Sequence, residues 1–199
     1  GMSLATDLQP IELGLKAKRL DLGASLNMGE GWTHRIDARR DERNGTRRGA
    51  GAFFASSSHL ALPIDHVTDE IEVSTSYATR QWQAMLAYRA SLFRNGETAL
   101  TWANPFDPSA ASSGRIALAP DNQFHQVMAS GGYELTPKMR VSGDVAVGRM
   151  TQDAAFVAAT LNSSLAASVP ASSLQGKVDT FSAHLNLSAA PAEGLRLKA

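Results

Sequence analysis

The sequence predicts an all-β fold: an antiparallel, up-and-down transmembrane β-barrel, present in part as about seven or eight strands joined alternately by short turns and long loops. Three observations predict this fold. Apolar and polar side chains alternate over runs of roughly a dozen residues, whereas strands of soluble sheets usually have about five or six. Short and long connections alternate along the chain. Aromatic residues lie beside the short connections, as they do at the water–lipid interface of membrane barrels.

The composition excludes several functional classes. The chain has 199 residues, with 19 Lys and Arg and 19 Asp and Glu. This balance of charge does not support a nucleic-acid-binding protein, which would need a clustered basic face. The absence of cysteine excludes disulfides, Cys-ligated zinc, iron–sulfur clusters and covalent c-type haem attachment within this chain. No apolar run is long enough for a transmembrane helix. The mean hydropathy of -0.18 suits a barrel and a soluble protein equally.

The first elements are two alternating runs in different phase. Leu8–Lys18 carries the first apolar set, and beyond Arg19 the set shifts to Leu20–Leu26. This pattern leaves open whether one bent strand or two strands are present. A short Gly-rich turn at Asn27–Gly31 then leads into a strand over Trp32–Arg40.

The next unit is the clearest hairpin. A long polar connection at Asp41–Asp65 precedes it, and alternation then continues from Val67 to Arg94. Only Thr79–Gln81 interrupts it, a break short enough for a tight antiparallel turn. A second long connection follows at Asn95–Asn122.

Three more strands complete the pattern. A third long connection, Thr151–Ser172, lies between the second and the third of these strands. Its Ala-rich start predicts a short helix around Asp153–Leu161. A fresh alternating run, Leu195–Ala199, is cut off where the chain ends, which indicates truncation there as well. We expect residues 1–199 to be a single segment of an outer-membrane β-barrel domain, truncated at both ends, because no signal peptide is present. The strands are expected at Gln123–Leu135, from Met139 to Gly148, and around Thr180–Ser188, with short turns at Thr136–Lys138 and Ala190–Gly194.

The aromatic residues predict the orientation of the strands. One set lies within a few residues of the short turns and predicts an interfacial girdle on that side: Trp32, Tyr77, Trp82 and Tyr133. A second set predicts a weaker belt towards the opposite rim: Phe93, Phe124 and Phe181.

Clusters of polar residues offer candidate sites, but none has the spacing of a known catalytic or metal-binding motif. The histidines are interpreted as isolated polar-face or loop residues: His34, His59, His66, His125 and His184. An acidic cluster could bind calcium, act as catalytic carboxylates or form a solvated loop mouth: Asp65, Asp69, Glu70 and Glu72. A basic stretch could contact lipid headgroups, form a lumenal ion ladder or make a charged rim: Arg35, Arg39, Arg40, Arg43, Arg47 and Arg48. The sequence therefore predicts no catalytic, cofactor-binding or metal residue, and no enzyme.

Several short segments form an ordered set from about Leu20 to the end, and the set is more specific than any single motif. The segments are Leu62-Pro-Ile-Asp65 with Thr68-Asp-Glu70, Arg80-Gln-Trp-Gln83, Phe93-Arg-Asn95, Leu100-Thr-Trp-Ala-Asn-Pro-Phe106, Leu118-Ala-Pro-Asp-Asn-Gln123, Ser130-Gly-Gly-Tyr133, Gly148-Arg-Met-Thr-Gln-Asp-Ala154 and Ser173-Leu-Gln-Gly-Lys-Val-Asp179. Together they resemble the MtrB/PioB family of decahaem-associated outer-membrane β-barrels, in which they occur in the same order. The family's complete proteins are much longer, so the chain resembles an interior part of one.

This resemblance implies a sleeve through the bacterial outer membrane. A periplasmic multihaem c-type cytochrome inserts into the lumen, often meeting an extracellular one, and electrons pass along the haems in metal reduction or iron oxidation. The partner then carries the haem, the chain binds no cofactor directly, and the lipid bilayer surrounds it. Small polar residues facing the lumen would leave room for the cytochrome: Ser74, Ser76, Ser130, Gly132, Ser142, Gly148 and Ser182.

Two other functions stay open at this point. A general outer-membrane porin or solute channel would use the same barrel with a water-filled lumen. A soluble, secreted β-sandwich binding module would turn its polar face to water, although apolar faces rich in Ala and Gly fill a sandwich core poorly.

Overall fold

The computed structural model describes residues 10–54, 56–106, 111–165, 167, 169–192 and 195–198. Every regular element in these ranges is a β-strand. No helix among the described residues is long and apolar enough to cross a membrane. The strands are β1 Gly14–Gly29, β2 Trp32–Phe53, β3 Ser56–Ala78, β4 Trp82–Asn95, β5 Ala99–Ala103, β6 Ser113–Ala117, β7 Asn122–Thr136, β8 Met139–Gln152, β9 Gly176–Ala192 and β10 Leu195–Lys198.

Eight of these strands form one antiparallel sheet in the order β1-β2-β3-β4-β7-β8-β9-β10. Each strand pairs with its neighbour in the chain, except that β5 and β6 leave the sheet between β4 and β7 and pair with each other. Within the described residues the sheet is open, with β1 and β10 at its edges. This arrangement confirms the predicted fold class, a partial up-and-down barrel wall.

The strand register separates the side chains onto two faces, because directly opposed residues of antiparallel strands share a face. One face, called the apolar face below, carries large hydrophobic side chains across all the long strands. Most of them in the central strands and in β9 are exposed to between 39% and 76% of their full surface, including Ile71, Val147 and Leu185. One row across this face consists of Ala24, Ile36, Val73, Tyr88, Val127, Val147 and Phe181.

The apolar face has no protein layer packed against it within the described residues. Among the residues that the structure describes, the buried hydrophobic ones are Leu60, Leu62, Ala87 and Ala90. A β-sandwich would bury one face of each sheet against the other, so the predicted alternative of a soluble sandwich is wrong. Exposed side chains in such number fit a wall that meets lipid.

The four aromatic residues beside the short turns form one row on the apolar face, as predicted. Trp32 is opposite Tyr77, and Trp82 is opposite Tyr133. The rings of Trp32 and Tyr77 lie 4.8 Å apart, and those of Tyr77 and Trp82 lie 4.7 Å apart. This aromatic row marks the membrane interface on the short-turn side.

The second predicted aromatic belt is wrong for two of its three members. Phe181 lies on the apolar face opposite Val147. Phe93 and Phe124 lie on the other face, because each occupies the alternate phase of its strand, next to Leu92 and His125 respectively. The sequence places these two rings correctly along their strands, towards the rim opposite the short turns, but it assigns them to the wrong face of the sheet.

Ion pairs replace the second belt at the opposite end of the apolar face. Arg40 lies 3.6 Å from Asp69, which also pairs with Arg94, and Arg149 lies 2.6 Å from Asp179. We call these five residues the charged rim. Such groups are stable where the strand leaves the hydrocarbon and enters the headgroup region.

The distance between aromatic row and charged rim matches a membrane. On β8 the apolar face runs from Val141, opposite Tyr133, to Arg149. These eight residue steps cover about 26 Å at roughly 3.3 Å each. With strands tilted by about 40°, the wall spans roughly 20 Å, close to the apolar band of about 25 Å in outer-membrane barrels.

The first long connection is not a loop, which corrects the prediction for Asp41–Asp65. β2 and β3 stay paired without a register shift from Trp32 opposite Tyr77 to Phe53 opposite Ser56. Its polar sequence lacks alternation, but backbone hydrogen bonds to the neighbouring strand are independent of side-chain polarity. The hairpin therefore extends about 43 Å past Arg40, from thirteen residue steps of about 3.3 Å.

The β5–β6 hairpin packs against this extension. The rings of Phe53 and Trp102 lie 5.7 Å apart, and a Cβ atom at Gly51 would approach Trp102 to 2.2 Å. Glycine at position 51 therefore allows the indole ring to lie directly on the backbone of β2. Two of the predicted long connections thus form one packed structure beyond the rim.

Three remaining expectations are settled by the strand assignments. The two runs at the start form the single strand β1, whose odd and even residues lie on opposite faces, while Leu8 and Gln9 lie outside the described residues. No helix is present at Asp153–Leu161, where Ala155 instead forms a bridge to Ser173. At the predicted last turn, residues 190–192 belong to β9, and residues 193–194 lie outside the described residues.

Candidate functional site: the lumenal face of the wall

The face opposite the apolar face carries most polar side chains, and in a membrane barrel it faces the lumen. On β1–β4 this lumenal face holds equal numbers of arginines and carboxylates, which we call the ion-pair ladder. Its net formal charge is zero. The members are Arg19, Asp21, Arg35, Asp37, Arg39, Asp41, Arg43, Glu70, Glu72 and Arg89.

Every arginine of the ladder has a carboxylate partner inside the ladder. Their side chains remain 42% to 63% exposed, so water screens these pairs and each contributes little to stability. The ladder fixes long side chains against the wall and presents no unbalanced charge to an ion in the lumen. The distances are 2.9 Å for Arg19–Asp41, 2.5 Å for Arg35–Asp37, 2.6 Å for Arg39–Asp21, 3.0 Å for Arg43–Asp41 and 3.0 Å for Arg89–Glu70.

The ladder includes one pair of like charges directly opposite each other, Asp37 and Glu72. Such a pair is destabilising without compensation. The Arg35 guanidinium compensates at Asp37, and the Asp37 carboxylate lies over Gly23, where a Cβ atom would be only 2.8 Å from Oδ1. Glycine at position 23 therefore provides the space for this carboxylate.

An open groove of about 720 Å³ lies on the lumenal face over β1–β4. The side chains around it come mainly from the ladder, including Asp37, Glu70 and Arg89, and Met85 forms one border. A groove bordered by half-exposed ions holds water, because desolvating paired charges costs more free energy than their attraction returns.

The lumenal face of β7–β9 has a different character. All seven small residues expected to face the lumen lie on the lumenal face of the sheet. Five of them are on β7–β9, and Ser74 and Ser76 are on β3. They include Ser130, Gly132, Ser142, Gly148 and Ser182. Small side chains keep this half of the wall flat and allow another molecule to approach its backbone.

An apolar strip crosses this flat half, and sequence reasoning missed it. Its exposed members are 38%, 41% and 56% accessible for Met85, Met150 and Val178. Phe124 lies flat, because a Cβ atom at Gly148 would be 2.8 Å from its ring. We call the strip the lumenal patch, and its members are Met85, Phe124, Met128, Met150 and Val178.

The signal for this patch was present in the sequence. Met85 and Met128 occupy the polar phase of their alternating strands, between residues such as Gln83 and Arg89 or Gln126 and Ser130. An apolar side chain in the polar phase of a barrel strand faces the lumen, where lipid does not cover it.

Two histidines lie on the apolar face, contrary to the polar-face or loop interpretation. His34 stacks on Trp32, with ring centroids 6.3 Å apart and planes 8° apart. His125 shares a hydrogen bond of 2.7 Å with the Tyr88 hydroxyl. Both lie near one end of the apolar band, where an amphipathic ring is tolerated.

His66 and His184 lie in the polar phase of their strands, as interpreted, whereas His59 lies in strand β3 and not in a loop. His184 lies 2.8 Å from Asp144 on the lumenal face, and His59 belongs to the β2–β3 extension. His66 lies beyond the charged rim and contacts Phe93 at 5.1 Å between ring centroids. Burial, followed by the charges of Arg47 and Arg43, lowers the pKa of His66 below its ordinary value. Within the described ranges, no cluster of three His, Asp or Glu side chains could hold a metal ion.

The acidic and basic clusters divide between the two faces. Glu70 and Glu72 belong to the ladder, whereas Asp69 belongs to the charged rim. Likewise Arg35, Arg39 and Arg43 face the lumen and Arg40 faces outwards. The sequence left open whether the basic stretch forms a lumenal ladder or a charged rim. In the structure, some of its residues belong to the ladder and others to the rim.

Comparison with known proteins agrees with this geometry. Residues 2–199 match the family described as "Putative outer membrane beta-barrel porin, MtrB/PioB". The chain is 34% identical over 196 residues to the protein named "Outer membrane protein MtrB" from Shewanella baltica (strain OS185). That alignment covers 98% of this chain and 28% of the relative's length. With its open antiparallel wall, its lipid-exposed apolar face and this match, the chain belongs to the MtrB/PioB family of outer-membrane β-barrel porins.

Proposed function

We propose that this chain forms part of a barrel wall that houses and positions a multihaem c-type cytochrome for electron transfer across the outer membrane. The observation that supports this most is the lumenal patch. A water-filled pore has a polar lining, whereas Met85, Met150 and Val178 are exposed on the lumenal face. Exposed apolar groups beside a flat, small-residue surface suit contact with a folded protein.

The division of labour follows from the residues present. The cytochrome supplies the haem and its redox chemistry, and a periplasmic cytochrome that passes electrons to an extracellular one would serve metal reduction or iron oxidation. The chain supplies position and insulation, because its apolar face and the surrounding lipid form a low-dielectric wall. It binds no cofactor directly and acts as no enzyme. Residues 1–199 form a single segment of the barrel domain.

Purification of the complete protein tests this function. The protein is extracted in mild detergent from cells that express periplasmic multihaem cytochromes, and the product is examined by haem staining and absorption spectroscopy. We expect a haem protein to remain bound in a fixed stoichiometry through size-exclusion chromatography. A barrel of unrelated family, purified from the same cells, controls for carry-over. A correctly folded barrel that never retains a haem protein contradicts the proposal.

A general porin is the second candidate, and the ladder is the observation that favours it. The half-exposed ion pairs beside the groove resemble a hydrated channel lining. Planar-bilayer recordings separate the two functions, since an open porin conducts ions without any partner. A barrel occupied by a protein is expected to conduct only after that protein is removed.

A further inference from the structure

The two halves of the lumenal face differ in what they can bind. The ladder half is covered by arginine and carboxylate side chains, and all of them except Glu72 form ion pairs with each other. A protein surface pressed against them would have to remove their water, and this costs free energy unless it supplies matching hydrogen bonds. On β7–β9 the Asp144–His184 pair also lies on the lumenal face, but the patch itself carries no charged side chain, so a partner that contacts the patch alone leaves these ions hydrated.

The patch half also offers better contact geometry. Phe124 lies close against Gly148, because a Cβ atom there would be 2.8 Å from its ring, so the ring rests on the backbone of β8. Met128 and Met150 are unbranched and can adjust to a partner's surface. Ala87, only 1% exposed, closes the floor between Met85 and Met128.

Charge decides which kind of surface fits there. The patch carries no charged side chain, and the neighbouring ladder has zero net charge, so neither attracts a strongly acidic or basic surface. The complementary occupant is a folded protein that presents an uncharged, small or aliphatic surface.

We propose that the protein inside the barrel docks on the lumenal patch of β4 and β7–β9, and that the ladder of β1–β4 stays hydrated and faces the occupant across water. This inference rests on the proposed function, because it names the docking surface of the same lumenal partner. The partner sits off-centre, against one part of the wall. Its binding depends weakly on salt, because few charges are involved.

Photo-crosslinking in the complete protein tests the inference. The photoreactive residue p-benzoylphenylalanine replaces Met128 or Met150 in the patch, Glu72 in the ladder, or Val145 on the apolar face. The probe is the haem-staining protein that co-purifies with the wild type, and adducts are detected by haem stain and identified by mass spectrometry. Haem-positive adducts from Met128 and Met150, with at least about tenfold less from Glu72 and Val145, are expected.

Charge insertion gives a second measurement that does not depend on the crosslinker. Met128→Lys places an unpaired ammonium in the docking surface, and at least about tenfold less haem protein should be retained. Ser25→Lys, on β1 at the ladder side of the same face, is the matched control and should retain it as the wild type does. Heat-modifiable migration in gels verifies that both variants form barrels.

The outcomes separate this inference from the proposed function. If the wild type retains the haem protein and the strongest adducts come from Glu72, or if Ser25→Lys impairs retention more than Met128→Lys, the docking surface is wrong and the sleeve function stands. If the folded wild type retains no haem protein at all, both are overturned.

Discussion

Two adjacent residues of β7 should differ in how much stability the protein loses when each is replaced by arginine. Ala129 lies on the apolar face between Leu86 and Val145, and Ser130 lies on the lumenal face between Met85 and Asp144. Both native side chains are small and half-buried, so the added volume is similar. Ala129→Arg and Ser130→Arg therefore differ mainly in whether the guanidinium meets lipid or the lumen.

The expected magnitude follows from depth. Ala129 is four residue steps from Tyr133 in the aromatic row, about 13 Å along the strand or roughly 10 Å of membrane thickness. This is near the middle of the apolar band, where an arginine facing lipid costs about 2–4 kcal/mol. Ala129→Arg should lower the folding equilibrium constant by about 30-fold to 700-fold. Ser130→Arg, facing water and near Asp144, should change stability by less than about 1 kcal/mol.

Urea titration of the complete protein in lipid vesicles measures this difference. Tryptophan fluorescence reports unfolding, and heat-modifiable migration reports the folded barrel independently. The expected order of stability is wild type close to Ser130→Arg, with Ala129→Arg well below both. Equal losses in the two variants, or a larger loss for Ser130→Arg, would show that the faces are assigned the wrong way round.

Three further predictions concern other parts of the wall. Gly51→Val should detach the β5–β6 hairpin, because its side chain occupies the space of Trp102, and limited trypsin digestion should then cut that hairpin faster. The pKa of His66 is lowered in the folded protein, so the unfolded chain binds more protons as the pH falls towards and below about 6.5. The free energy of unfolding should therefore decrease as the pH falls through this range. Thermal unfolding between about pH 5 and 8 should show a smaller decrease for His66→Gln than for the wild type. The Glu70–Arg89 pair, 3.0 Å long and largely hydrated, should show a coupling energy below about 1 kcal/mol in a double-mutant cycle of Glu70→Gln and Arg89→Gln.

Each of these predictions has its own control. For the hairpin, Gly14→Val is matched, since nothing lies within 4 Å of a Cβ atom there, and it should leave digestion unchanged. For the pH dependence, the wild type and His66→Gln are compared over the same pH range, and an unaltered slope in His66→Gln contradicts the reasoning. A coupling energy above about 2 kcal/mol for Glu70 and Arg89 would mean that the ladder is desolvated.

Local pattern was sufficient for most of the fold. Alternation in Val67–Arg94 predicted β3, β4 and their turn, and the aromatic residues beside short turns predicted the row on one face. These features depend on the period of a strand, which each segment carries by itself. The extension of β2 and β3 was missed because Arg43–Phe53 has no alternation, and pairing with a neighbouring strand, a non-local interaction, holds it extended.

The candidate site was predicted less completely. The small residues facing the lumen were identified correctly, because they occupy the polar phase of clear strands. The lumenal patch was missed, since Met85 and Met128 in that phase were treated as ordinary strand residues. The arginine stretch could not be divided between lumen and rim, because a shift of one residue exchanges the faces of an entire strand.

The sequence by itself determined the strand type, the apolar and polar phases, the interface on the short-turn side and the resemblance to a barrel family. The tertiary structure alone decided which charges pair, that ladder and rim lie on opposite faces, and that Phe124, Met150 and Val178 from three strands form one surface. The physical reason is that alternation is set within a strand, whereas a surface is set by register between strands. Each residue acquires its neighbours on that surface only when hydrogen bonding fixes the register.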